Sequence, residues 1–184
     1  MRDIRFVAVH RGGLLEPVSH RALAAWAADT AATVLPLFSQ TSPDPRPGRA
    51  VEIGAAWSRG EVAAGAAMRA SVAAHAAARE ATDAAAMAAA RAAGQAVATA
   101  HCADHCLGAL LYALKARALA GMEREEEMAR LLEMLPCRLR PMVVAGIEAR
   151  LRHFIRIPKA GAPRIREPEA GNSRGRTRDR IAAR

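Results

Sequence analysis

The sequence predicts an all-α protein, a compact bundle of about six to seven helices around an alanine-rich central helix, with a disordered basic C-terminal tail. Three observations carry this. Hydrophobic residues make up 52% of the chain but aromatics only 3%, and alanine fills most of the difference, above all from Ala63 to Ala120. Alanine is the strongest helix former and is poorly suited to sheets. Apolar positions recur at spacings of three and four along most of the chain. A length of 184 residues is enough for one domain with a proper core plus an extension. The small side chains predict close helix packing.

Residues 1–18 read as a lead-in, with Phe6, Val7 and Val9 able to dock and 11-RGG-13 breaking any continuation. Ser19 is the expected N-cap of a first helix. That helix carries Leu23, Trp26, Ala27, Thr30, Val34 and Leu37 on its apolar positions, and Pro36 kinks or ends it. The stretch 39-SQTSPDPRPG-48 reads as a loop. A second helix is expected from about Arg49 to Ser58, stopping at Gly60. From Ala64 to Ala118 the pattern is almost continuously helical, broken near Thr82-Asp83, where Asp83 can cap a new start. In the part before that break, Met68, Val72, His75 and Arg79 share a side. In the part after it, Gly94, Val97, His101, His105, Gly108 and Tyr112 form one narrow stripe. Leu107, Leu110, Leu111 and Leu114 form the opposite stripe, which marks a central helix. Gly121 ends it. Glu123 to Leu135 is amphipathic, and a last helix from about Arg138 to Phe154 buries Val143, Val144, Ile147, Leu151 and Phe154. The domain is thus placed at 19–157 and the Arg-rich tail at 158–184. No repeat period is present.

Charge is uneven. Residues 156–184 hold nine basic and three acidic residues, against 18 and 15 in residues 1–155. The basicity belongs to the tail, which can meet nucleic acid through phosphates but lacks aromatics to stack bases. A combined richness in Arg and Ala also reads as composition bias. Cys102, Cys106 and Cys137 form no paired framework and read as reduced thiols. The longest uncharged run, Thr30 to Pro43, is 14 residues with two prolines, too short to span a bilayer. The expectation is a soluble, cytoplasmic protein with no membrane segment.

The chemistry-bearing stretch is 100-AHCADHCLGALLYALKA-116. His101 and His105, four apart, can face the same way. Three readings stay open. One is a buried histidine cluster bonded to Asp104, Asp29 or backbone carbonyls. Another is a metal site drawing on His101 and His105 with His75, Asp104 or Asp83, and, less well placed, Cys106. The third is a catalytic His–Asp pair. The first is preferred, with no cofactor. A zincin motif needs Glu directly after its first His, where Cys102 stands, and zinc needs three or four ligands. Cys102 and Cys106 read as packing residues. No phosphate loop, serine-nucleophile motif or paired carboxylates occur. Glu123, Glu126, Glu127, Arg130 and Glu133 make a charged face opposite Met128, Leu131, Leu132 and Leu135, read first as solvated and second as a partner surface.

The motifs 11-RGGLL-15, 20-HRALAAWAAD-29, 33-TVLPLF-38, 74-AHAAAR-79, 90-ARAAGQAVATAHCADHCLGALLYALKA-116 and 136-PCRLRP-141 resemble the bacterial immunity proteins grouped as the immunity protein five-like domain. The resemblance covers about residues 11–155 in collinear order. It departs at Cys102 and Cys106, where small aliphatic residues are usual. It implies an all-helical, non-enzymatic domain that protects a bacterium from a partner toxin of a polymorphic toxin system by stoichiometric binding. The shared residues fall on His20, Arg21, Trp26, Asp29, His75, Arg79, His101, Asp104, His105, Tyr112 and Lys115, and no catalytic role comes with them. A metal-dependent enzyme built on the histidines, or a nucleic-acid-associated protein acting through the tail, is the alternative.

Overall fold

Alanine-rich sequence makes long helices only if neighbours can cover them, and the computed structural model has them packed around one central rod. It describes residues 3–154, with side chains through Leu151. The tail at 158–184 therefore lies outside the described residues. Eight α-helices occur among those residues: α1 (Pro17–Ala32), α2 (Leu35–Ser39), α3 (Arg46–Arg59), α4 (Ala64–Glu80), α5 (Ala84–Ala98), α6 (His105–Leu119), α7 (Glu125–Glu133) and α8 (Arg140–Phe154). There is no strand among them, only an isolated parallel bridge between Ala8 and Leu15. None of these helices is long and apolar enough to cross a membrane.

The central rod is α5. It packs against α4 and α6 most extensively and also meets α1, α2 and α3. Alanines bury it on nearly every side, from Ala85 to Ala98. Around it the large side chains Leu23, Val34, Phe38, Leu110, Leu131, Leu135, Val143 and Ile147 are almost completely buried. Each contributes roughly 1.5–3 kcal/mol of transfer free energy. A second, smaller cluster of Ala50, Ala67, Ala74, Ala93, Val97 and Ala100 lies where α3, α4 and α5 meet. The N-terminal segment folds into short 3-10 turns at Ile4–Phe6 and Val9–Arg11 and sinks Phe6 and Leu15 into the main core.

The all-helical expectation holds, but several boundaries differ. The first helix starts at Pro17, a residue suited to the first turn, behind Glu16 rather than a Ser19 cap. It ends at Ala32, and Pro36 opens a separate short helix. The helix expected from Arg49 begins one turn earlier, and Gly60 ends it in the left-handed region at φ 84°, where only glycine is unstrained. Asp83 caps α5 as expected, its Oδ1 accepting from Ala86 N at 2.7 Å. The largest correction concerns the stripe from Gly94 to Tyr112. It does not lie on one helix: α5 ends at Ala98 and α6 starts at His105, leaving His101 and Asp104 in the turn between them. The split at this turn and the one after Ala32 account for eight helices where six or seven were expected. Finally, α7 starts at Glu125, and α8 follows a 3-10 turn at Cys137–Leu139.

Candidate functional site

The turn between α5 and α6 exists because two side chains from far away capture its carbonyls. His20 Nε2 donates to the Thr99 carbonyl at 2.6 Å, and Arg11 Nη1 donates to the His101 carbonyl at 3.3 Å. In a continuous helix those oxygens would accept from Ala103 and His105. The carbonyl can only accept, so the His20 proton sits on Nε2. Burial pushes the His20 pKa down, against the pull of that bond, and the neighbouring His10, Arg11 and His101 push the same way. Its ring lies 4.9 Å from that of Trp57 on α3.

Past the turn, the His101 and His105 rings sit 5.1 Å apart. His105 Nδ1 donates to Gln95 Oε1 at 2.7 Å. The Gln95 side chain lies across Gly108, where an added Cβ would come within 2.6 Å of Oε1. The Asp104 carboxylate accepts from Arg150 Nη2 at 2.8 Å and from Cys102 Sγ at 2.7 Å. Cys106 is buried, and desolvation pushes its thiol far above the ordinary range, which leaves it packing rather than nucleophilic.

A second polar group lies along α4, α5 and α6. His75, half-buried on α4, lies flat against Gly94, where an added Cβ would stand 2.9 Å from its ring. Ser71 Oγ donates to the Gly94 carbonyl at 3.0 Å. Arg91 stacks over Tyr112 at 5.8 Å. Burial, then Arg91 and Arg79, depress the His75 pKa. Arg79 and Asp29 are exposed. Among the described residues no three of His, Cys, Asp and Glu gather into a set able to hold a metal ion, so His75, His101, Asp104 and His105 do not converge as one.

Trp26 has a different task. Its Nε1 donates to the Leu131 carbonyl at 2.7 Å. That oxygen belongs to the last turn of α7, where helix carbonyls lack intrahelical partners. Arg140 serves the same end, donating to the Leu135 carbonyl at 3.0 Å and to that of Glu133. The acidic face of α7 therefore rests on a fixed base. Glu126, Arg130 and Glu133 are exposed, and Glu127 is half-buried, paired with Arg130 at 2.7 Å. That pairing holds the Glu127 carboxyl below its usual range. Glu123 lies before the helix, where its Oε1 accepts from the amides of Arg124 and Glu125.

A pocket of about 270 Å³ opens between the N-terminal segment, α1, α3, α4 and the α5–α6 turn, with Phe6, Arg11, His20, Trp57, Met68 and His101 in its wall. Sequence reasoning singled out His20 and His101 but missed Arg11 and Trp57 as their neighbours. It also missed Gln95, Arg91 and Arg150. Gln95 lies inside the motif around His101, so its position gave a signal; Arg150, 46 residues from Asp104, gave none.

No curated protein and no solved structure matches the chain. Residues 13–138, from the bridge at Leu15 through all of α1 to α7, match the family described as Imm-5 like putative immunity protein. That span takes in the histidines of both polar groups and the acidic helix, and by it the chain belongs to the Imm-5 like immunity protein family.

Proposed function

We propose that the chain neutralises a cognate bacterial toxin by stoichiometric, non-enzymatic binding in the cytoplasm. The family match over residues 13–138 carries this reading. The geometry supports a binding role because the histidines are engaged in holding the turn and the helices: His20 on a carbonyl and His105 on Gln95.

We assign the toxin contact to the α7 face, Glu123, Glu126, Glu127, Arg130 and Glu133. It is acidic, and Trp26 and Arg140 hold its backbone in place. A fixed acidic surface steers a basic partner and sets specificity. The test is to recover the full chain from its native cells and express the co-purifying protein by itself and then together with this chain. The expected result is a partner that stops growth alone and not in the one-to-one complex. A partner that stays lethal when bound overturns neutralisation. Reversing the exposed pair with E126K and E133K should slow association by about tenfold at low salt. Unchanged binding there moves the contact elsewhere and leaves neutralisation standing.

A further inference from the structure

The pocket beside the α5–α6 turn has a composition that selects a ligand. Its apolar wall comes from four separate elements: Phe6 from the N-terminal segment, Trp57 from α3, Ala64 and Met68 from α4, and Ala100 and Ala103 from the turn. Met68 is half exposed at 50%, so this wall continues to the surface. The titratable and charged groups lining it are His10, Arg11, His20, His101 and Cys102, with no carboxylate among them. The acid bonded to Cys102, Asp104, is already paired with Arg150 at 2.8 Å. Arg11 is tied across the rim by its bond to the His101 carbonyl, which engages one of five N–H donors in a fork shaped for carboxylates. The volume, about 270 Å³, lies just below the range of roughly 300–1,000 Å³ typical of small-molecule sites.

We propose that this pocket binds a small organic acid, a single apolar ring held against Phe6, Trp57 and Met68 with its carboxylate between Arg11 and the imidazoles of His10 and His101. The site lies on the N-terminal segment and the α5–α6 turn, and it does not rest on the assignment of α7 as the toxin contact. His10 and Arg11 stand before residue 13 and His101 stands within the span of the family match, so the anion-binding half joins the N-terminal segment to the α5–α6 turn.

The test uses the full chain with phenylacetate as the probe and phenylacetamide as its neutral counterpart. Binding is followed by calorimetry and by tryptophan fluorescence, where Trp57 reports on the pocket and buried Trp26 supplies a constant background. Phenylacetate should bind at one saturable site, and the amide about tenfold more weakly, since a charge-assisted bond is lost. R11A should weaken phenylacetate by a similar factor. A64L, which projects a larger side chain into the pocket from an exposed position, should abolish binding while the helical circular dichroism is unchanged. Equal binding of acid and amide overturns the proposal, as does binding that survives A64L. So does the absence of saturable binding below about 10 mM, the level of nonspecific contact.

Discussion

At the scale of single residues, Gly94 and His75 form a pair whose worth can be measured. Alanine is favoured over glycine inside a helix by about 1 kcal/mol, so G94A would stabilise an isolated α5. Here the new Cβ would stand 2.9 Å from the His75 ring. The ring is packed between helices and has to move. G94A is therefore expected to lower stability by about 1–3 kcal/mol in urea unfolding. In an H75A background the same change should raise stability by about 1 kcal/mol. A gain in both backgrounds would mean that the ring yields freely. The histidines also set a pH dependence. His20 and His75 are both held below the ordinary imidazole value of 6.5, in each case first by burial. Between their depressed values and about 6.5 the unfolded chain binds more protons than the folded one, so stability rises with pH. Their contribution is complete above about pH 7 and is lost as pH falls through about 6.5 toward the folded values. The urea midpoint should climb as pH rises from the depressed folded values to about pH 7, less steeply in H75A. Carboxylates held low by arginines, such as Glu127, titrate beneath this window. A flat midpoint across it would show that neither imidazole is kept neutral by the fold.

At the scale of elements, α7 is held by a few directional bonds, from Trp26 and Arg140 among others, and a few apolar side chains. W26F removes the indole N–H and leaves the buried Leu131 carbonyl without its donor, which costs about 1–3 kcal/mol. Because that oxygen closes the end of α7, amide exchange should quicken in α7 more than in α5. Equal acceleration in both helices would mean that Trp26 acts only through bulk. The same comparison explains what the sequence made legible. The amphipathic pattern of α7 and the Asp83 cap are local signals, spaced within one or two turns, and both could be read directly. The break between α5 and α6 could not. The stretch 99-TAHCAD-104 has no glycine or proline, and the donors that capture its carbonyls, His20 and Arg11, stand 79 and 90 residues away. A period of 3.6 therefore ran on through a turn that only tertiary contacts create. For the same reason the inward position of His101 and His105 was read from the pattern, while the Gln95 that bonds His105 was not. His20 meets the Thr99 carbonyl. Asp104 meets Arg150, which comes from a helix that nothing local ties to it.

At the scale of the whole molecule, the defining property is a core made thin by alanine. A helix buried by leucines keeps its neighbours at 8–10 Å, depending on the side chains at the contact. Here α5 meets five other helices through side chains that end at Cβ, and Val97 is among the larger ones it carries inward. Such a core has little rotamer freedom to absorb added volume, because an alanine has no other rotamer to adopt. The consequence is an asymmetry along one helix. Ala89, with 0% exposure, and Ala84, exposed at the first turn of the same helix, have equal helix propensity. A89L should lower the urea midpoint by an amount equivalent to about 1–3 kcal/mol. A84L should stay within about 0.5 kcal/mol of the parent. The slope of the unfolding curve should be the same in all three proteins, since the surface exposed on unfolding hardly changes. If A89L were as stable as the parent, the helices around α5 would have to move apart without loss. The turn captured by His20 and Arg11 would then not be anchored to a rigid rod, and the pocket beside it would vary in size with every core substitution.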